Sequence, residues 1–161
     1  MKAIYPGSFD PITIGHLDII KRLSKIYDKV IVGVLINEAK SSLFSIDERK
    51  KLIEEEIKIN KLTNIEVKTF DGLLVNFAKK EKAKIIIRGI RAITDYEYEM
   101  KIAQFNSALY PQLETIFLLS DPKYSFISSS GVREVANFGG DVSEFVSENV
   151  KNAINAIRKK Q

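Results

Sequence analysis

The chain has 161 residues, 45% of them hydrophobic and 29% charged, with a formal net charge of +4. That length suits one domain, 1–161, with its own core. The lack of cysteine excludes disulfides, thiolate catalysis and cysteine-ligated metals. No apolar run is long enough to span a bilayer and the first residues carry no signal pattern, so a cytoplasmic protein without membrane contact is expected.

Residues 2–6 read as a strand that runs into a turn-rich loop with Pro6, Gly7, Asp10 and Pro11. The loop ends in Thr13-Ile14-Gly15-His16, and a helix over 15–26 follows, with Leu17, Ile20, Leu23 and Ile26 on one face. Residues 29–36 are a near-continuous apolar run, as in a strand buried on both faces. Ser45-Ile46-Asp47-Glu48 is a capping box for a helix over about 46–58. A short strand over 64–69, a helix over 73–82 and a buried strand over 84–88 come next. Thr94-Asp95-Tyr96-Glu97 has the pattern of a second capping box, opening a helix to about Tyr110. The last strand covers 115–119, Ser129 or Ser130 caps a helix through Val135, and 142–158 read as helical with short breaks.

Strict alternation of strand and helix predicts an α/β fold, a Rossmann-like, doubly wound parallel sheet of five strands. In such sheets ligands bind beyond the carboxyl ends of the strands. Ser8, Thr13 and His16 follow the first strand, and Asn37, Lys40, Ser41 and Ser42 the second. Arg88-Gly89-Ile90-Arg91 ends the fourth, and Ser120, Lys123, Tyr124 and Ser128-Ser129-Ser130 follow the fifth. Hydroxyls, cations and the single histidine therefore gather on one edge. The exit of the third strand, with Leu73 and Leu74, is apolar and suits an uncharged part of a ligand.

Each of these residues has a stated chemistry. A strand that turns through a glycine-bearing loop into a helix offers free N–H groups to an anion. The positive helix end disfavours imidazolium, so His16 is expected to be neutral and to donate one hydrogen bond to a phosphate oxygen. Lys40 brings a mobile point charge. Arg88 and Arg91 can grip two phosphate groups through forked hydrogen bonds, and Asp95 and Glu99, four apart on one helix face, can orient them. Glu99 also suits a ribose. The three serines entering a helix form a second anion cradle. No P-loop and no Gly-x-Gly-x-x-Gly is present. With one histidine and no cysteine, no metal held by protein ligands is expected. The basic residues form no stripe interleaved with aromatics, so nucleic acid is not an expected partner.

The stretches 5–16, 87–100 and 124–130 resemble the bacterial phosphopantetheine adenylyltransferases of coenzyme A biosynthesis, within the nucleotidylyltransferase superfamily marked by Thr/His-x-Gly-His. The likeness runs over essentially the full length. It implies transfer of AMP from ATP to 4′-phosphopantetheine, giving dephospho-coenzyme A and pyrophosphate. It implies ATP contacts by Ser8, Phe9, His16, Gly89, Ile90, Arg91, Glu99 and the loop Tyr124, Ser125, Phe126, Ile127, Ser128, Ser129 and Ser130. Ser8, Lys40, Leu74 and Arg88 would hold phosphopantetheine, and His16, Ser8, Lys40 and Arg91 would carry the catalysis. Magnesium, a homohexamer built as a dimer of trimers, and feedback by coenzyme A are further implications. Ser8 stands where many members carry threonine, and Tyr124 where tryptophan is commoner. The alternatives are another adenylyl- or cytidylyltransferase of the same fold and a non-catalytic nucleotide-binding regulator.

Overall fold

The computed structural model describes residues 1–36 and 42–159. The order is β1 (Lys2–Gly7), α1 (Ile14–Ile26), β2 (Lys29–Leu35), α2 (Ile46–Ile59), β3 (Ile65–Phe70), α3 (Leu74–Lys80), β4 (Ile85–Ile90), α4 (Ile93–Leu109), β5 (Glu114–Leu119), α5 (Ser129–Asn137) and α6 (Glu148–Arg158). The five strands form one parallel sheet in the order β3-β2-β1-β4-β5.

Successive side chains of a strand face opposite sides, and both sides here are covered. Ala3, Tyr5, Val30, Val32, Val34 and Ile87 point into a core closed by α1, α2, α5 and α6. Ile4, Ile31 and Ile86 point the other way, onto Val75, Phe77 and Ala78 of α3. The apolar runs of the sequence are thus strands buried on both faces.

The chain winds outward from β1 to β3, then returns to the other side of β1 for β4 and β5. The strand order reverses between β1 and β4, where a parallel sheet opens a crevice. The register shows the opening. β1 and β2 stay paired as far as Gly7 and Val34, whereas β1 and β4 pair only at Ala3–Ile85 and Ile4–Ile86. Beyond Ile4 the central strand has lost its β4 partner, and the gap is the floor of the site.

Several boundaries shift from the sequence reading, and three of the shifts concern how a helix begins. Ala92, not Thr94, precedes α4, and no side chain caps that helix. The Asp95 carboxylate instead accepts the N–H of Arg91 at 3.1 Å. Ser128, rather than Ser129 or Ser130, caps α5 by accepting the N–H of Gly131 at 3.0 Å. The stretch 142–158 is helical only from Glu148, with Ser147 as its cap. Val142, Phe145 and Val146 repeat at helical spacing, but they belong to a turn. Val142 and Val146 are buried there, and the carbonyl of Phe145 accepts the N–H of Ile14 at the start of α1.

Candidate active site

The first wall of the site is the loop between β1 and α1. Thr13 caps α1, its Oγ1 accepting the N–H of His16 at 3.3 Å. In return the N–H of Thr13 donates to Nδ1 of His16 at 3.1 Å. This is a capping box with histidine in the place usually held by glutamate or glutamine. An Nδ1 that accepts carries no proton, so the proton sits on Nε2, the ring's remaining donor. Phe9 meets the imidazole edge to face, with ring centroids 5.1 Å apart. Its φ of 47° is unusual for a residue with a side chain. Removal from water, reinforced by the Arg91 charge, lowers the His16 pKa to about 4. The ring is neutral, as expected from the sequence, but burial rather than the helix end is the main cause.

The second wall is the exit of β4. Arg88 faces the buried Glu99 of α4 through two nitrogens, its Nε at 2.6 Å from one carboxylate oxygen and its Nη2 on the other. Its Nη1 donates to the carbonyl of Pro6 at 3.0 Å, tying β4 to β1. Arg91 is bound by Asp95, with Nε at 3.2 Å, and donates to the carbonyl of Ile127 at 2.9 Å. The two acids four residues apart on α4 therefore aim the two arginines. Between them, Gly89 lets α1 approach: a Cβ there would lie 2.6 Å from Cδ1 of Ile19. The third wall is the loop leading to α5, pinned to the first by Ser129, whose Oγ donates to the carbonyl of Pro11 at 2.7 Å.

These walls enclose a cleft of about 340 Å³. Ser8, Phe9, His16, Arg88, Gly89, Arg91, Glu99, Tyr124, Ile127, Ser128, Ser129 and Ser130 all line it. Ile90, Ser125 and Phe126 do not. Ile90 lines a separate apolar groove with Ile93, Tyr96 and Phe117. Ser125 donates its hydroxyl to the carbonyl of Pro122, and Phe126 is largely exposed, against Phe145. Asn37, Lys40 and Ser41 lie outside the described residues.

A second cleft, of about 420 Å³, adjoins the first. Leu74 lines it with Leu35, Phe70, Tyr98 and Ile102, whereas Leu73 is exposed and does not. Ser8 and Arg88 line both clefts. Sequence reasoning missed Arg133, which also borders both, and Arg49, which borders the second. Arg49 did leave a signal. It is buried in α2 with Leu52, Ile53 and Glu56, a charged residue on the apolar stripe of a helix. Its partners are backbone carbonyls, with Nη1 at 2.9 Å from that of Ser8. Tyr5 also faces the first cleft, and burial pushes its phenol pKa well above the usual range, so it stays a neutral hydroxyl.

The cleft at the switch point of a parallel sheet, headed by a neutral histidine and flanked by oriented arginines, is that of a nucleotidyltransferase. The cytidylyltransferase-like family model matches residues 4–135. Among solved structures, the nicotinic acid mononucleotide adenylyltransferase of Plasmodium falciparum, complexed with NaAD, superposes with a TM-score of 0.72 at 17% identity, covering 99% of this chain and 95% of that one. A bifunctional NMN adenylyltransferase/ADP ribose pyrophosphatase from Francisella tularensis, complexed with AMP and a Mn ion, gives 0.73 at 17% identity, over 99% of this chain and 49% of that one. At such identities the likeness is one of fold. Sequence relatives are far nearer. The phosphopantetheine adenylyltransferase of Caldanaerobacter subterraneus subsp. tengcongensis is 56% identical over 91% of this chain and 90% of its own length. That of Alkaliphilus metalliredigens is 54% identical over 94% and 95%. The chain belongs to the phosphopantetheine adenylyltransferase family.

Proposed function

We propose that the chain transfers the AMP moiety of ATP to 4′-phosphopantetheine, releasing pyrophosphate and forming dephospho-coenzyme A. The observation that carries this reading is the shared border of the two clefts at Ser8 and Arg88. One compartment is polar and suits a triphosphate. The other has apolar walls at Leu35, Phe70 and Leu74 and suits a pantetheine arm. A phosphate at the border faces both.

The attacking group is an oxygen of the acceptor phosphate, ionised at neutral pH, so no general base is required. The oxygen forms a bond to the α-phosphorus, and the bond from that phosphorus to the bridging oxygen breaks to release pyrophosphate. Two polyanions must meet in line, so the rate comes from orientation and from donors aimed at the developing charge. His16 Nε2 and the Ser8 hydroxyl serve the α-phosphate, and Lys40 helps to neutralise it. Arg91 and Ser128–Ser130 hold the departing pyrophosphate, and Arg88 holds the incoming phosphate.

Among the described residues no three His, Cys, Asp or Glu side chains are gathered into a metal cage. A magnesium ion brought with ATP would therefore be held by phosphates and water rather than by such a cage, and would supply charge neutralisation. No helix among the described residues is long and apolar enough to cross a membrane. Ile93, Phe105, Leu109 and Leu119 expose apolar side chains on α4 and the edge strand β5. Such side chains suit contact between copies of the chain, and the assembly that the family resemblance implies is a homohexamer, a dimer of trimers. Coenzyme A, which contains the product, is the expected feedback ligand.

The test is pyrophosphate release from ATP and magnesium with a panel of phosphorylated acceptors. Turnover with 4′-phosphopantetheine and none with nicotinate mononucleotide is expected. Preference for the mononucleotide would reassign the substrate, and ATP binding without turnover on any acceptor would make the chain a regulator.

A further inference from the structure

Five residues border both clefts, Pro6, Gly7, Ser8, Arg88 and Arg133, and two of them are charged. The charge of Arg88 is compensated by the carboxylate of Glu99, which it meets through two nitrogens. Arg133 is placed differently. Its Nη1 donates to the carbonyl of Asp10 at 2.5 Å, and the nearest carboxylate oxygen, Oδ2 of Asp10, is 3.9 Å away. That carboxylate is already occupied, accepting the N–H groups of Leu43 and Phe44 at 2.9 Å each. Nε and Nη2 of Arg133 have no acceptor among the described residues. Arg49, also at the second cleft, lies against the Ser8 and Ser45 carbonyls. Of the two arginines that border both clefts, Arg133 is the less compensated, and unlike Arg49 it keeps two nitrogens without an acceptor among the described residues that the clefts could use. It stands on α5, which Ser129 fastens to the carbonyl of Pro11, so the fork is presented from a fixed element. A planar fork with two nitrogens to spare matches the oxygens of a phosphate monoester.

We propose that Arg133 holds the acceptor's phosphate where the two clefts meet, sharing it with Arg88 and keeping it in line with the α-phosphorus. This assignment rests on the adenylyl-transfer reading. Its test uses the full chain, Arg133→Gln and Arg133→Lys. Calorimetric binding of 4′-phosphopantetheine is compared with that of pantetheine, which lacks the phosphate, beside steady-state pyrophosphate release. Arg133→Gln is expected to weaken phosphopantetheine binding about 10- to 100-fold, Arg133→Lys to recover part of the loss, and both to bind pantetheine as the wild type does. Unchanged phosphopantetheine binding in Arg133→Gln, with an active wild type, overturns the assignment alone. Equal weakening toward both ligands overturns it in favour of a structural role. A wild type that neither binds phosphopantetheine nor turns it over removes the adenylyl-transfer reading and this assignment together.

Discussion

The two clefts that meet at Ser8 and Arg88 are built from opposite materials. The one at the ends of β1 and β4 is walled by a histidine, two arginines fixed by acids, and a run of serines. Its neighbour is walled by Leu35, Phe70, Leu74 and Ile102, with charge among the described residues at Asp10, Arg49, Arg88 and Arg133. The first orients its side chains before any ligand arrives, since Thr13 sets the tautomer of His16 and Glu99 and Asp95 aim the arginines. The second offers surface rather than direction. A polyanion needs donors at fixed positions, whereas a long neutral arm needs only to be kept from water.

Substitutions on either side sharpen this contrast. The largest effect is expected for His16→Ala. Loss of one aimed donor costs about 3–4 kcal/mol in the barrier, so turnover falls steeply while the ATP dissociation constant, measured by calorimetry, moves little. Turnover near wild type would break the contrast at its centre. Glu99→Ala leaves Arg88 without its carboxylate and costs roughly 3 kcal/mol of stability, read as a lower midpoint in urea, with a raised KM for the acceptor. Gly89→Ala brings a methyl group against Ile19; overpacking of this kind costs roughly 2 kcal/mol and lowers Tm. Leu74→Ala belongs to the other cleft. It removes about 1 kcal/mol of apolar contact, raising KM for phosphopantetheine and leaving KM for ATP unchanged.

One effect is confined to acid conditions and is the smallest of all at neutral pH. His16 titrates at about 4 in the folded chain against 6.5 when unperturbed. Between those values the unfolded chain binds the proton that the folded one refuses, so stability falls as pH drops through that window and is fully present above it. A His16→Gln variant should lose that part of the slope in pH-dependent denaturation. Turnover in the wild type should show no limb from His16 between pH 6 and 8.

Much of this was legible before any coordinates. Apolar runs with β-branched residues marked the strands, and the residues just after them lie on one rim because a parallel sheet puts every carboxyl end on the same edge. Contacts that depend on three-dimensional approach were not legible. Arg133 sits among ordinary helical neighbours, and nothing in its spacing shows that α5 leans over Asp10. Tyr98 reaches the second cleft from α4, a helix whose sequence has no clear apolar stripe. Ile90 is part of the Arg-Gly-Ile-Arg stretch, and alternation gives it the face of Arg88, yet at the end of β4 it lines the groove with Phe117 instead of the cleft. Val142 to Val146 mimicked a helix because a turn that buries every third or fourth residue leaves the same pattern.

A crystal structure of the chain with dephospho-coenzyme A bound tests the central claim most directly. The adenylate half should lie against His16 and the serine loop, the pantetheine arm along Leu74, and the joined phosphates between Ser8 and Arg88. An arm running anywhere but the apolar cleft, or phosphates away from that border, would contradict the account.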